Sequence, residues 1–271
     1  GDQLYRMDYR KMLACHLDHK ARVTIALLPV NKEEATRFGV VQVENGKIKG
    51  FLEKPHPSQI PSSWYKEGGD SVLYGSMGIY MFDLDFLREI LYTHPEWQDF
   101  GKEVLPSLIH SGEDVAAYEY HGYWEDIGTI RSFHQAHMEL VEENSAFTLY
   151  QADWPFFFKP RFLPPSRFYG AHIENSLVSD GVIIRGAEVS RSIIGIRTLL
   201  DKGAKVEESV IMGADYFTIE KGGKTGCQCV IGEGTIIRGA IIDKNCQIGR
   251  GARIVNERNI LYEEGEWYSI V

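Results

Sequence analysis

Ile231-Gly-Glu-Gly-Thr-Ile-Ile-Arg-Gly-Ala240, followed directly by Ile241-Ile-Asp-Lys-Asn-Cys-Gln-Ile-Gly-Arg-Gly-Ala-Arg-Ile254, is the stretch that decides the architecture of the second half of the chain. Ile231 and Ile237 stand six positions apart, and so do Ile242, Ile248 and Ile254. Small or turn-forming residues follow the apolar position each time. Upstream, Val178 and Ile184 form another such pair, and Ile194, Leu200 and Val206 another triplet. A period of six predicts a parallel β-helix, each hexad giving one short strand and one corner. The stacked apolar side chains fill the axis, and the glycines permit tight corners. The register slips between blocks, and Gly213–Gln228 reads as an excursion out of the coil.

Ahead of the repeats, Trp154–Pro165 carries four prolines and a run of phenylalanines. Proline cannot continue a helix, so this stretch is expected to be a linker packed over a surface rather than a flexible tether. The first half alternates strands and helices, which predicts an α/β layered domain. Val23–Val30 is continuously apolar, as a strand buried on both faces would be. Tyr9–His19 has Met12, Leu13 and Leu17 at helical spacing. Asn45-Gly46 between Gly39–Glu44 and Lys47–Leu52 is a hairpin signal, because both turn positions need positive φ. A polar loop is expected from Pro55 to about Gly69, then a glycine-broken strand over Tyr74–Phe82. Asp83 is expected to cap a helix with the stripe Leu84, Leu87, Ile90 and Leu91. Lys102–His110 repeats the pattern, Val115–Tyr120 is a further strand, and Thr129 caps a last helix carrying Ile130, Phe133, His134, His137 and Leu140.

The chain of 271 residues is 44% hydrophobic and 25% charged, an ordinary globular composition. Its net charge of −9 argues against a general nucleic-acid or anionic-membrane partner, though a local basic site can still bind a nucleotide. Cys15, Cys227, Cys229 and Cys246 show no disulfide framework or zinc spacing and read as unpaired thiols. No apolar run approaches a membrane span and no signal-peptide pattern is present, so a cytoplasmic location is expected. The chain opens on Gly1, inside a motif, and is expected to lack residues on its N-terminal side.

Several constellations could carry chemistry. Gly122-Tyr-Trp-Glu-Asp-Ile-Gly-Thr129 sets an acidic pair between a bulky aromatic and a glycine turn, a setting that suits a carboxylate ligand of Mg²⁺. Asp126 could equally be a turn residue bonding backbone amides. Asp2 is a second carboxylate, uninformative alone. In Phe51-Leu-Glu-Lys-Pro55, Lys54 could supply a point charge to a phosphate and Glu53 could accept from sugar hydroxyls; a solvated charge pair ending a strand is the competing reading. Ser76, between glycines, suits a substrate hydroxyl contact or a strand bulge. Asp99 fits a helix cap. His134 and His137 lie on one helix face without a third ligand. Lys244, Arg250, Arg253 and Arg258 form a solvated face or an anion site.

The joint order of these motifs is more specific than any one of them. Gly1-Asp-Gln-Leu-Tyr-Arg-Met-Asp-Tyr9, Phe51-Leu-Glu-Lys-Pro55, Ser76-Met-Gly-Ile-Tyr80, Asp99-Phe-Gly-Lys102, Tyr123-Trp-Glu-Asp-Ile-Gly-Thr129 and then the hexads resemble the glucose-1-phosphate adenylyltransferase family of sugar nucleotidyltransferases. Met212-Gly-Ala-Asp-Tyr216 and Ile241-Ile-Asp-Lys-Asn245 look closest to its cyanobacterial and plant type. The resemblance implies a partial Rossmann-like nucleotidyltransferase domain of mixed sheet and flanking helices over residues 1–148. A linker over 149–170 and a left-handed β-helix for regulation and oligomerisation over 171–271 would follow.

By resemblance Asp2 and Asp126 would bind catalytic Mg²⁺, Glu53, Lys54 and Ser76 would hold glucose 1-phosphate, and Lys244 would bind an anionic sugar- or glycerate-phosphate activator. ATP and glucose 1-phosphate would give ADP-glucose and pyrophosphate for glycogen or starch synthesis, in a homo- or heterotetramer, with a plastid location in a plant. Three departures stand out: Gln3 where the family has His, and the absence of both the N-terminal glycine-rich phosphate loop and a C-terminal segment with a second regulatory lysine. The rival readings are a non-catalytic regulatory subunit, another sugar-1-phosphate nucleotidyltransferase, and a hexapeptide acyltransferase. The acyltransferase would need a coil histidine as base, and only His172 follows His137.

Overall fold

The computed structural model describes residues 2–66, 72–219, 225–266 and 268–271. Gly1 of the first motif, residues 67–69 of the expected loop and residues 220–224 of the expected excursion lie outside them. The described chain forms two compact units, one over Arg6–Gly122 and one joining Asp2–Tyr5 to Tyr123–Val271. In chain order the first elements are β1 (Gln3–Tyr5), α1 (Tyr9–Asp18), β2 (Val23–Asn31), β3 (Gly39–Glu44), β4 (Lys47–Glu53), β5 (Val72–Phe82), α2 (Leu84–Thr93), α3 (Leu105–His110), β6 (Val115–Glu119), β7 (Trp124–Asp126) and α4 (Ile130–Leu140).

In the first unit β2 is the central strand. It pairs antiparallel with β5 and parallel with β6, and the β3–β4 hairpin extends from β5. Val23, Thr24, Ile25, Ala26 and Leu27 are all buried, so both faces of β2 are covered, as its unbroken apolar run requires. One bridge, Lys47 opposite Ala116, closes the mixed sheet into a small barrel. The hairpin turn has Asn45 and Gly46 at φ of 52° and 74°. Glycine is needed there twice over, since a Cβ on Gly46 would stand 2.7 Å from His19 Nε2.

The glycine-broken stretch of β5 is a bulge, the second of the two readings open for Ser76. Ile25 pairs with Tyr80 and Leu27 with Ser76, so Ala26 alone faces Met77, Gly78 and Ile79, with Gly78 at φ 69°. The helices stand where the caps put them, but they bury narrower arcs than the apolar spacing suggests. In α1 Met12 and His16 are buried while Leu13 and Leu17 are 45% and 63% exposed. His16 is accommodated by a 2.8 Å hydrogen bond to Thr24 Oγ1. Asp83 caps α2 by accepting from Asp85 and Phe86 N–H, and Phe86 and Ile90 are its buried residues rather than Leu84 and Leu91. In α4 the buried residues are Ser132 and Ala136, and Ile130 is exposed. A helix lying on one surface covers a single strip, and every apolar residue beyond that strip faces outward.

In the second unit three parallel faces wind through five coils. The first face runs through Arg167–Tyr169, Ile183–Arg185, Thr198–Leu200, Cys229–Ile231 and Gln247–Ile248. Ile184, Ile194, Leu200, Val206, Ile211, Ile231 and Ile237 are buried along the axis, as the hexads predict. Ile184 stacks on Leu200 and Val189 on Val206, so a coil is a residue or two shorter than three full hexads, which accounts for the slipping register. The excursion carries an antiparallel pair, Phe217–Ile219 with Thr225–Cys227, and the coil resumes with Leu200 opposite Ile231. In the linker, Phe156 lies 5.8 Å from Phe147, but Phe157 and Phe162 are 95% and 96% exposed. The expectation of a packed linker therefore holds for one ring only; an extended chain directs successive side chains to opposite sides.

One corner of the coil is built on serine. Ser192 Oγ donates to Ser190 O (2.7 Å) and accepts from Ser209 N–H (3.1 Å); Ser209 Oγ repeats this with Glu207 O and Ala240 N–H. Both serines are fully buried, and hydroxyls stacked coil on coil satisfy backbone amides that the strands leave open. Ser192→Ala removes the hydroxyl that accepts from the buried Ser209 amide and is expected to cost about 1–3 kcal/mol in urea unfolding. Leu200→Ala, on the axis, is expected to cost about 2–5 kcal/mol in the same measurement.

Candidate active site

β1 and β7, far apart in sequence, form a two-stranded antiparallel ribbon in which Gln3 faces Asp126. Ile127 N–H donates to Asp2 O at 2.8 Å, extending the ribbon by one bond. Asp126 Oδ1 accepts from Gly128 N–H at 3.1 Å. A Cβ on Gly128 would stand 3.1 Å from Asp126 Oδ1 and 3.6 Å from Asp2 Oδ2, so the two carboxylates face one point and the glycine keeps it open. Among the described residues no cluster of three or more His, Cys, Asp or Glu side chains could hold a metal. Two carboxylates without a third suit Mg²⁺, which keeps waters and takes substrate phosphates as its other ligands.

β7 is tied to α4 at both ends. Tyr123 OH donates to Glu139 Oε2 at 2.8 Å, and its ring lies 5.2 Å from Phe147. Burial, then the Glu139 carboxylate, holds the Tyr123 hydroxyl well above the ordinary phenol range. At the other end, Thr129 caps α4 in a reciprocal box with Ser132.

The first unit gathers Glu53, Ser76, Tyr80 and Asp99. Glu53 ends β4, and its Oε2 lies 2.7 Å from a Cβ built on Gly101 and 3.0 Å from one on Gly39, so a side chain at Gly101 would displace the carboxylate and one at Gly39 would also meet the Phe51 ring. Burial raises the Glu53 carboxyl; Lys54 opposes this, Asp99 adds to it and Lys102 opposes it. Lys54 is exposed and left-handed at φ 46°, with its N–H on Phe38 O at 3.0 Å. Such a conformation in a lysine costs about 1–3 kcal/mol. Ser76 is buried; its Oγ accepts from Gly78 N–H at 3.2 Å and hydrogen-bonds the Tyr80 hydroxyl. It thus builds the bulge and reaches toward the site through Tyr80. Asp99 Oδ1 accepts from Gly101 and Lys102 N–H at 2.8 and 3.0 Å. Tyr80, Asp99 and Gly101 were given no binding role by sequence reasoning; their motifs were the available signal.

Lys244 stands apart, on the coil, with Nζ 3.1 Å from Asp215 Oδ1. Hydrogen bonds from Asn245 and then Lys244 lower the Asp215 carboxyl, with Arg161 adding to the field. Arg250, Arg253 and Arg258 each face a carboxylate, on Glu233, Glu257 and Glu263. His134 and His137 bond backbone carbonyls of Glu208 and Phe133. All four cysteines are free thiols. No helix among the described residues is long and apolar enough to cross a membrane.

Comparison with known proteins matches two parts of the chain to two family models. Residues 161–271 match the GLGC left-handed parallel beta-helix domain, which supplies the hand of the coil. A relative, the glucose-1-phosphate adenylyltransferase small subunit, chloroplastic/amyloplastic, of Triticum aestivum, is 36% identical over 281 residues, covering 96% of this chain and 59% of its own length. The present chain thus spans somewhat over half of that relative. Residues 1–143, more than half of the chain and the part that carries both β1 and β7, match the Nucleotidyl transferase family, and the protein is a member of that family.

Proposed function

We propose that the chain is part of a glucose-1-phosphate adenylyltransferase, joining ATP and glucose 1-phosphate into ADP-glucose with release of pyrophosphate. The observation that carries this reading is the convergence of Asp2 and Asp126 beside Gly128. The name of the wheat relative, a glucose-1-phosphate adenylyltransferase small subunit, supports the choice of substrates.

The attacking atom is a phosphate oxygen of glucose 1-phosphate. It forms a bond to the α-phosphorus of ATP while the bond from that phosphorus to the bridging oxygen breaks, and the electron pair leaves with pyrophosphate. The nucleophile is already an anion, so the protein supplies alignment and charge balance rather than a base. Asp2 and Asp126 would hold Mg²⁺, which when bound would neutralise the phosphate oxygens. Lys54 offsets repulsion between the anions, its strained backbone aiming the ammonium. Glu53 accepts from sugar hydroxyls, and Ser76 orients Tyr80 beside them. Lys244, exposed beside Asp215, suits an anionic effector that would displace the aspartate from the lysine. Assembly into a tetramer of like or unlike chains and a plastid location belong to this reading; the relative's description as a chloroplastic/amyloplastic small subunit supports a multi-chain enzyme and a plastid.

Lys54→Ala is expected to raise KM for glucose 1-phosphate at least ~10-fold with kcat held within a few-fold, the mark of lost ground-state binding; collapse of kcat at unchanged KM would remove the assigned role. Asp126→Asn is expected to lower kcat/KM at least ~100-fold in pyrophosphate-release assays on the full-length enzyme. Glu53 yields a stability test. Its carboxyl titrates higher folded than unfolded, so the native state loses stability as pH rises from the unfolded value through the folded one. Glu53→Gln should therefore gain thermal stability relative to the parent between pH 4 and 7, while KM for glucose 1-phosphate rises.

A further inference from the structure

The coil has one corner where the backbone is left-handed in four successive coils, at Asn175, Arg191, Glu208 and Gly239, with φ of 42°, 44°, 47° and 59°. Glycine adopts this conformation without cost and asparagine tolerates it; arginine and glutamate are strained by it. At Gly239 a Cβ would meet nothing within 4 Å, so space alone does not choose the residue. What distinguishes Arg191 and Glu208 is α4. Arg191 NH1 lies 2.8 Å from Glu142 Oε1, just past the end of α4, and its Nε lies 3.4 Å from Glu208 Oε1. His134 Nε2, on α4, donates to Glu208 O at 2.7 Å.

Exposed ion pairs add little stability singly, but a branched network with a backbone bond defines register. The register matters because α4 is continuous with the carboxylate ribbon. Glu139 of α4 holds Tyr123 at one end of β7, and Gly128, held by Asp126, leads into the cap of α4 at the other. A shift of α4 along the coil would move both ends of β7 relative to β1.

We propose that Arg191 and Glu142 are positioning residues, whose latch on the coil corner sets the approach of the Asp126 carboxylate to Asp2 and thereby divalent-cation affinity. The inference rests on the reading of Asp2 and Asp126 as the cation pair. Neither latch residue touches substrate or the reacting atoms.

The test is Mn²⁺ binding to the full-length protein, read as free Mn²⁺ by electron paramagnetic resonance, for the parent, Arg191→Gly, Glu142→Gln, the double variant and Asp126→Asn. Arg191→Gly removes the latch while relieving the strained backbone, so a loss of affinity is not a loss of fold; Glu142→Gln reads the same pair from the helix side. Each single variant is expected to weaken Mn²⁺ binding about threefold to tenfold, less than the ~10–100-fold typical of a directly bonded supporting residue. The double variant should be no weaker than the weaker single one, and KM for glucose 1-phosphate at saturating Mn²⁺ should not move. Parent-like Mn²⁺ affinity in both single variants, with Asp126→Asn impaired, overturns the latch alone. Parent-like affinity in Asp126→Asn overturns the cation pair, and the latch with it.

Discussion

The rest of the site depends on a short piece of backbone pairing. Gln3 faces Asp126, and the Ile127 amide closes on the Asp2 carbonyl. Strand pairing has a period of two, so a slip of one residue would turn either carboxylate to the opposite face. With two carboxylates facing one point, no third such side chain among the described residues stands by to absorb that slip. The same pairing makes Asp2–Tyr5 part of the compact unit that holds the coil, although Arg6–Gly122 forms the other unit.

Charge is handled differently on the two units. In the first, Glu53, Lys54, Asp99 and Lys102 alternate in sign around a partly desolvated carboxyl. In such a partly desolvated and balanced setting each hydrogen bond counts for more than in water. On the coil, cations are countered on the surface, as in Lys205 with Glu188 and Arg238 with Glu207. Such pairs link neighbouring coils and exchange readily with solvent and salt.

The coil was the most legible feature, because its period forces Ile184, Leu200 and Ile231 onto one axis whatever the corners do. The Asn45-Gly46 turn and the caps at Asp83 and Thr129 were equally readable, since each is a local demand met by local chemistry. Helix faces were not. Leu13 and Leu17 have the right spacing but lie outside the strip that the sheet covers, and His16 is buried because Thr24 happens to meet it. In the site, the motif order singled out Asp2, Asp126, Glu53, Lys54 and Ser76; of the two readings open for Ser76 the structure shows the bulge, while nothing local reveals its hydrogen bond to Tyr80. The serine ladder was missed for a simpler reason: Ser176, whose Oγ accepts from Ser192 N–H, recurs with Ser192 and Ser209 by the coil rather than by the hexad.

The hairpin between the third and fourth coils leaves and re-enters the stack without disturbing it, since Leu200 meets Ile231 just as Ile184 meets Leu200. Closing a longer loop costs only slowly more as residues are added. Descendants of this chain could therefore lengthen, trim or redecorate that protrusion freely, acquiring new surface beside Asp215 and Lys244 while the column beneath keeps its pitch.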